Sequence, residues 1–239
     1  MDDRPAGSGG EVARDGSAIT FTETTAEGTA TRGVAPRTRI MCFTPGTGIK
    51  TARGTVPVED IAADDRVLTR DHGFQAVRWT GARRLDAAAT VAEPDLRPVH
   101  IARDAFGPGR PSRDMQVSPQ HRVLVGGADT QLLFGETEML VPALHLVGRR
   151  GVSRAPAGPV RYVHFMFERH EVVMSDDLWT ESFQPGDRAL GALADAQRRE
   201  LLAIFPELAT AAGRAAHASA RPTLRRHEAR LLAAPGARA

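Results

Sequence analysis

Residues 42–71 read CFTPGTGIKTARGTVPVEDIAADDRVLTRD, from Cys42 to Asp71. Turn formers punctuate this stretch and its immediate continuation: Pro45-Gly46, Arg53-Gly54 and Asp71-His72-Gly73. Proline fixes φ, glycine supplies positive φ, and between them only short extended segments fit. Cys42 is the only cysteine in 239 residues, standing where a polar N-terminal segment gives way to β-type sequence. That placement makes it a candidate nucleophile.

Downstream, the same rhythm continues. Short runs rich in β-branched and aromatic residues are expected as strands at Ile40–Phe43, Arg66–Thr69, Phe74–Gly81, Val99–Ala102, Met115–Ser118 and Val123–Val125. Others fall at Glu138–Val141, Val160–Phe167, Glu171–Met174 and Leu178–Phe183, with Gly126-Gly127 and Pro185-Gly186 as further turns. Many short strands at this spacing, without amphipathic helices between them, predict a mainly β domain. The segments Gly107–Pro111 and Pro156–Pro159 are expected as loops.

Outward in the other direction, residues 1–38 hold few large apolar side chains and are expected to form a flexible leader. Within it, the alternation of Ile19–Glu23 predicts an isolated or edge strand. After Gly186 the composition turns to Ala, Leu, Arg and Glu. Leu193, Leu201, Leu202 and Phe205 precede Pro206, and Leu224, Leu231 and Leu232 follow Pro222, at helical spacing. The organisation read from this is a leader at 1–38, a β-domain at 39–186 and a helical C-terminal extension at 187–239, its apolar stripe packed on the β-domain.

Composition narrows the function classes. No apolar run reaches the roughly 18 residues of a membrane-spanning helix, and the acidic start of the chain lacks the basic and apolar regions of a secretory signal. Compartment stays open, between cytoplasm and export without such a signal. The net charge is +2, with Lys50 the one lysine among 31 cationic residues. No nucleic-acid module accompanies these arginines, so no nucleic-acid partner is expected. One cysteine forms no intramolecular disulfide. Cys42, His164 and His170 show none of the spacings of a metal site, and neither metal nor other cofactor is expected.

The 42–71 stretch resembles the opening of the Hint domain, the module shared by inteins and the autoprocessing part of Hedgehog proteins. The likeness rests on a Cys followed by an aromatic residue, Pro45-Gly46-Thr47, Val58-Glu59-Asp60-Ile61 and Asp64-Asp65-Arg66-Val67-Leu68-Thr69. Ser118-Pro119-Gln120-His121 stands where the family has Thr-x-x-His, and Ser182-Phe183-Gln184-Pro185-Gly186-Asp187 matches the bacterial Hint type near its end. The resemblance implies a compact, horseshoe-like β-fold with pseudo-two-fold halves, followed by the helical tail.

It also implies an activity directed at the protein's own chain. Cys42 is the implied nucleophile on the Met41 carbonyl, converting the Met41–Cys42 amide to a thioester by an N-to-S acyl shift. His121 is the implied proton donor, suited by an ordinary pKa near 6.5. Ser118 supplies the hydroxyl of the family's Thr. Met41, His170 and Ser182 are expected to line the site, with Ser182 also readable as an ordinary strand residue.

The sequence contains no asparagine, the residue whose cyclisation completes protein splicing, so full splicing is not expected. Nor does a carboxylate stand at Gly81 or Ala82, where Hedgehog proteins carry the Asp that activates a sterol. Water, a thiol or another external nucleophile is then expected to open the thioester. The competing reading is a non-catalytic Hint-fold module that binds a protein partner the sequence does not identify.

Overall fold

The structure, a computed structural model, describes residues 21–25, 28–32, 41–191 and 193–232. Residues 1–38 and 39–239 are separate compact units. In the first, β1 (Phe21–Thr25) and β2 (Gly28–Arg32) pair as an antiparallel hairpin. The strand expected at Ile19–Glu23 is thus present from Phe21, and Gly28–Arg32, read from the sequence as flexible, is its paired strand; the other leader residues fall outside the described residues.

The second unit is mainly β, as the punctuated sequence predicts. Its strands are β3 (Gly48–Thr51), β4 (Gly54–Pro57), β5 (Arg66–Thr69), β6 (Gly73–Ala76), β7 (Trp79–Leu85) and β8 (Val99–Ile101). They continue with β9 (Met115–Val117), β10 (Arg122–Gly126), β11 (Glu138–Pro142), β12 (Val152–Arg154) and β13 (Val160–Met166). The last two are β14 (Val172–Ser175) and β15 (Leu178–Glu181). One sheet runs β11-β10-β15-β14-β3-β5-β6, with β4 paired on β3; β12-β8-β9 and β13-β7 form two smaller sheets. The named strands pair antiparallel throughout the described residues, as short turns between neighbours require.

Three expectations need correction. Phe74–Gly81 is not one strand: Val77 N–H donates to Asp65 O (2.9 Å) and Arg78 N–H to Met166 O (2.7 Å), so the chain changes sheets between β6 and β7. Ile40–Phe43 does not form a strand among the described residues: Phe43 makes isolated bridges, and Cys42 O accepts from Ser118 N–H. Finally, short helices do interrupt the β-domain, at α1 (Ala87–Ala92), α2 (Ala128–Phe134) and α3 (Ala143–Leu146). Local capping fixes them: Asp86 Oδ1 accepts from Ala89 N–H (2.8 Å), and Gly135 ends α2 at φ +74°. At four to seven residues each, they are too short for helical periodicity to register.

The core divides into two clusters, and the alternation of β13 shows how. Val163, Phe165 and Phe167 enter the cluster built on Phe43, Ile49 and Val117. Tyr162 and Met166 enter the one built on Cys42, Trp79 and Phe183. Successive side chains of an extended segment point to opposite faces, so neighbouring Cys42 and Phe43 belong to different cores.

The extension folds as α4 (Asp187–Leu190), α5 (Asp195–Ile204), α6 (Ala211–Ala216) and α7 (Arg226–Ala229). Leu193, Leu201, Phe205 and Leu208 complete the Cys42 cluster, while Leu224, Ala229 and Leu232 complete the Phe43 cluster. The stripe therefore packs on the β-domain, except that Leu231 turns out to solvent at 60% exposure. No helix among the described residues is long and apolar enough to cross a membrane.

Candidate active site

The segment carrying Cys42 lies between β9 and β13. Phe43 bridges Val117 on one side and Val163 on the other. Its amide donates to Val163 O (2.8 Å) and its carbonyl accepts from Val163 N–H (2.9 Å). Phe43 is 1% exposed, stacked on Phe165 with ring centroids 5.6 Å apart. Backbone pairing and a buried aromatic ring thus pin the residue after the nucleophile.

Toward β9, the ladder continues for one more residue and then changes character. Ser118 N–H donates to Cys42 O (2.9 Å), as an antiparallel pair demands. The reciprocal bond would run from Cys42 N–H to Ser118 O, but that carbonyl is turned into the Ser118–His121 turn and accepts from His121 N–H (3.0 Å). Ser118 Oγ takes its place, 2.9 Å from the Cys42 nitrogen. A hydroxyl therefore holds the nitrogen of the Met41–Cys42 peptide bond.

On the Sγ side stands a residue with no place in the sequence motifs. His164 Nδ1 lies 3.5 Å from Cys42 Sγ. The imidazole is stacked near Phe183 (centroids 5.2 Å) and tilted against Trp79 (5.1 Å). Its cross-strand partner is Gly81, where an added Cβ would come 2.5 Å from His164 Nε2. Only glycine leaves room for that ring. Burial pushes the Cys42 thiol well above its ordinary pKa, Arg83 opposing and Glu181 adding, and drives His164 down to about 3. The resting pair is hence a neutral thiol beside a neutral imidazole.

His121 sits on the opposite face, with Phe43: the two rings meet edge-on at 4.4 Å. Three backbone bonds fix its surroundings. Its N–H donates to Ser118 O, its carbonyl accepts from Ala143 N–H (2.8 Å), and the following amide, Arg122 N–H, donates to Glu181 Oε1 (2.7 Å). Both ring nitrogens are buried without a hydrogen-bond partner among the described residues. Burial brings its pKa to about 4, with the Glu181 carboxylate working against that shift and the Arg122 guanidinium with it.

The remaining expected residues fall as follows. Met41 is half-buried against the Cys42 cluster. Ser182 is buried, and its Oγ accepts from Glu171 N–H (3.0 Å), the role of a strand-end residue. His170 is buried away from the thiol, 3.2 Å from Glu181 Oε2 through Nε2. Burial would raise Glu181, but Arg122 and His170 outweigh it and pull its pKa to about 2. The described residues contain no cluster of three or more metal-ligating side chains. Sequence reasoning missed His164 and Glu181 as site residues. The signal for His164 was its place on an apolar strand in register with Gly81.

A family model of the Hint domain matches residues 41–187, more than half of the chain. The chain belongs to the Hint domain family. Solved structures to which it is similar include the bacterial intein-like domain from Clostridium thermocellum, at 18% identity and a TM-score of 0.40, covering 59% of this chain and 97% of that one. The MchDnaB-1 intein is 19% identical with a TM-score of 0.36, covering 59% and 98%. The gp41-1 intein is 12% identical with a TM-score of 0.35, covering 59% and 97%. No curated protein matches the chain. As a Hint domain, it has a fold suited to autoprocessing in general.

Proposed function

We propose that this Hint domain cleaves its own chain between Met41 and Cys42. The observation that carries the reading is the 2.9 Å hydrogen bond from the Cys42 amide to Ser118 Oγ. A peptide bond of the chain itself occupies the place of a substrate, and Cys42, at 1% exposure, is closed to a foreign polypeptide.

The proposed chemistry uses the two faces of the segment differently. Cys42 Sγ–H passes its proton to His164 Nδ1 as Sγ bonds to the Met41 carbonyl carbon, whose oxygen takes the negative charge. Collapse of this tetrahedral species breaks the C–N bond, and His121, in its protonated form, delivers a proton to the departing Cys42 nitrogen. The product is a Met41 thioester on Sγ with a free Cys42 amine. Water, a thiol or another nucleophile then opens the thioester and releases the leader. With a His121 pKa of about 4, protonating it at pH 7 costs about 4 kcal/mol. That cost makes the shift slow rather than forbidden.

Intact mass of the purified protein followed over time, with and without hydroxylamine, tests the reading. A species of residues 42–239 is expected from wild type, faster with hydroxylamine, and absent from Cys42→Ala. Wild-type protein that stays whole through prolonged hydroxylamine treatment would leave the domain as a non-catalytic binding module.

A further inference from the structure

The C-terminal extension lies beyond the segment matched by the family model, yet it is built into the sheet that supports His121. Thr223 bridges Leu140 of β11, with Leu140 N–H donating to Pro222 O (2.8 Å) and Leu224 N–H to Leu140 O (2.8 Å). Arg122 Nη1 donates to Ser219 Oγ (3.1 Å) and Thr223 Oγ1 (2.7 Å), and Gln184 Nε2 to His217 O (3.0 Å).

One bond of this strap fixes a proton. Ala220 N–H donates to His170 Nδ1 (2.9 Å), so that nitrogen presents its lone pair and the ring proton of neutral His170 sits on Nε2. From there it is donated to Glu181 Oε2 (3.2 Å). Glu181, 0% exposed, in turn accepts from the Arg122 amide at Oε1 (2.7 Å) and from Arg122 Nε at Oε2 (2.6 Å). The Arg122 amide is the peptide that leaves His121. A continuous line of directed bonds runs from the strap through His170 and Glu181 to the backbone of the residue that would protonate the leaving nitrogen.

We propose that Glu181 is a positioning residue for the His121 step, held in place by His170 and the strap at residues 217–224. This rests on the self-cleavage reading. A buried carboxylate can serve merely as a structural partner for an arginine. Three features point beyond that: Glu181 grips the peptide adjoining His121 rather than only the guanidinium, the His121 ring has no hydrogen-bond partner among the described residues to orient it, and the negative charge favours the protonated form of His121 against the positive charge of Arg122. Arg122, His170 and Glu181 are the charged or titratable groups acting on that ring, from β10, the turn before β14 and β15.

The test uses the full chain with Glu181→Gln, which keeps shape and an accepting oxygen but removes the charge, and Glu181→Asp, which keeps the charge. Two measurements are made: the rate of release of residues 42–239, and the titration of His121 by NMR in a Cys42→Ala background. Glu181→Gln is expected to lower the melting temperature by leaving Arg122 without its counter-charge, to slow cleavage at least tenfold at a temperature where the variant is still folded, and to lower the His121 pKa while leaving the His164 signal in place; Glu181→Asp recovers part of each. Unchanged cleavage and an unmoved His121 titration in folded Glu181→Gln overturn the proposal. Should Glu181→Gln not fold, His170→Gln and His170→Asn decide. Only Gln reaches Glu181 with a donor, so slower cleavage confined to Asn supports the proposal, and equal wild-type rates for both overturn it. Should wild type itself not cleave, the self-cleavage reading fails and the NMR titration alone judges whether Glu181 governs His121.

Discussion

His164 and Gly81 face each other across the β7–β13 ladder, and the missing side chain of one makes space for the ring of the other against Cys42 Sγ. Gly81→Ala places a methyl 2.5 Å from His164 Nε2 and 2.7 Å from Trp79 Cη2. Overpacking of this kind costs about 1–3 kcal/mol. Calorimetry is expected to show that loss, and mass spectrometry a more than tenfold slower release of residues 42–239. Cleavage at the wild-type rate would mean that the His164 contact is dispensable.

Ser118 offers a paired experiment. Ser118→Ala leaves the buried Cys42 N–H without its acceptor, a penalty of about 1–3 kcal/mol, and slower cleavage follows. Ser118→Thr keeps the hydroxyl and is expected to cleave. If the two variants behave alike in both melting and cleavage, the hydroxyl is not what holds this peptide.

Cys42 and His164 keep one protonation state between pH 8 and 4, the thiol lying far above that window and the imidazole, at about 3, below it. Of these three groups, His121, at about 4, is the one whose protonated fraction grows across that window. The first-order rate is therefore expected to rise about tenfold per unit as pH drops from 8 toward 5. A rate that instead climbs with pH would assign control to thiol ionisation.

Stability should move the other way. His121 and His164 have folded-state pKa values below the unfolded 6.5, so the unfolded chain binds more protons than the folded one once pH falls below about 6.5. Their contribution is complete above that point and is lost progressively toward pH 4, about 3 kcal/mol for His121 alone. Urea titrations of Cys42→Ala at pH 7 and pH 5 give the check. His121→Phe in that background should flatten the pH dependence; an unchanged difference between the two pH values would remove His121 from the account.

A buried thiol with a raised pKa is a poor nucleophile toward outside reagents. Native protein at pH 8 is expected to react with Ellman's reagent only on the timescale of unfolding, and at once in denaturant. Rapid reaction of the folded protein would contradict the closed site.

The parts of the site legible in the sequence are those written in contiguous runs. Cys42 stands at the head of one block, and Ser118 and His121 are the two ends of one four-residue turn, Ser118-Pro119-Gln120-His121, that reads as a motif in the sequence. The residues missed are those whose role depends on strand register. His164 meets Cys42 across 122 positions of sequence, and Glu181 reaches the Arg122 amide across 59. Gly81 illustrates the same limit: in the sequence it signals an absent carboxylate, and only the pairing with His164 shows what its lack of a side chain provides. The helices α1 and α2 went unforeseen because caps and tertiary contacts, not periodic apolar stripes, stabilise so few turns.

The double anchoring of Phe43 between Val117 and Val163 has a consequence for direction. In the proposed reaction the newly freed Cys42 amine stays tethered beside the thioester it has just produced, at a local concentration no dissolved competitor matches. Since the amide is the more stable linkage, the rearrangement runs backward as readily as the scaffold permits, and the cycle idles without loss. An arriving nucleophile acts as the ratchet, converting a reversible rearrangement into a single irreversible discharge. The domain then behaves as a spring-loaded latch, whose timing is set by the chemistry of its surroundings rather than by its own clock.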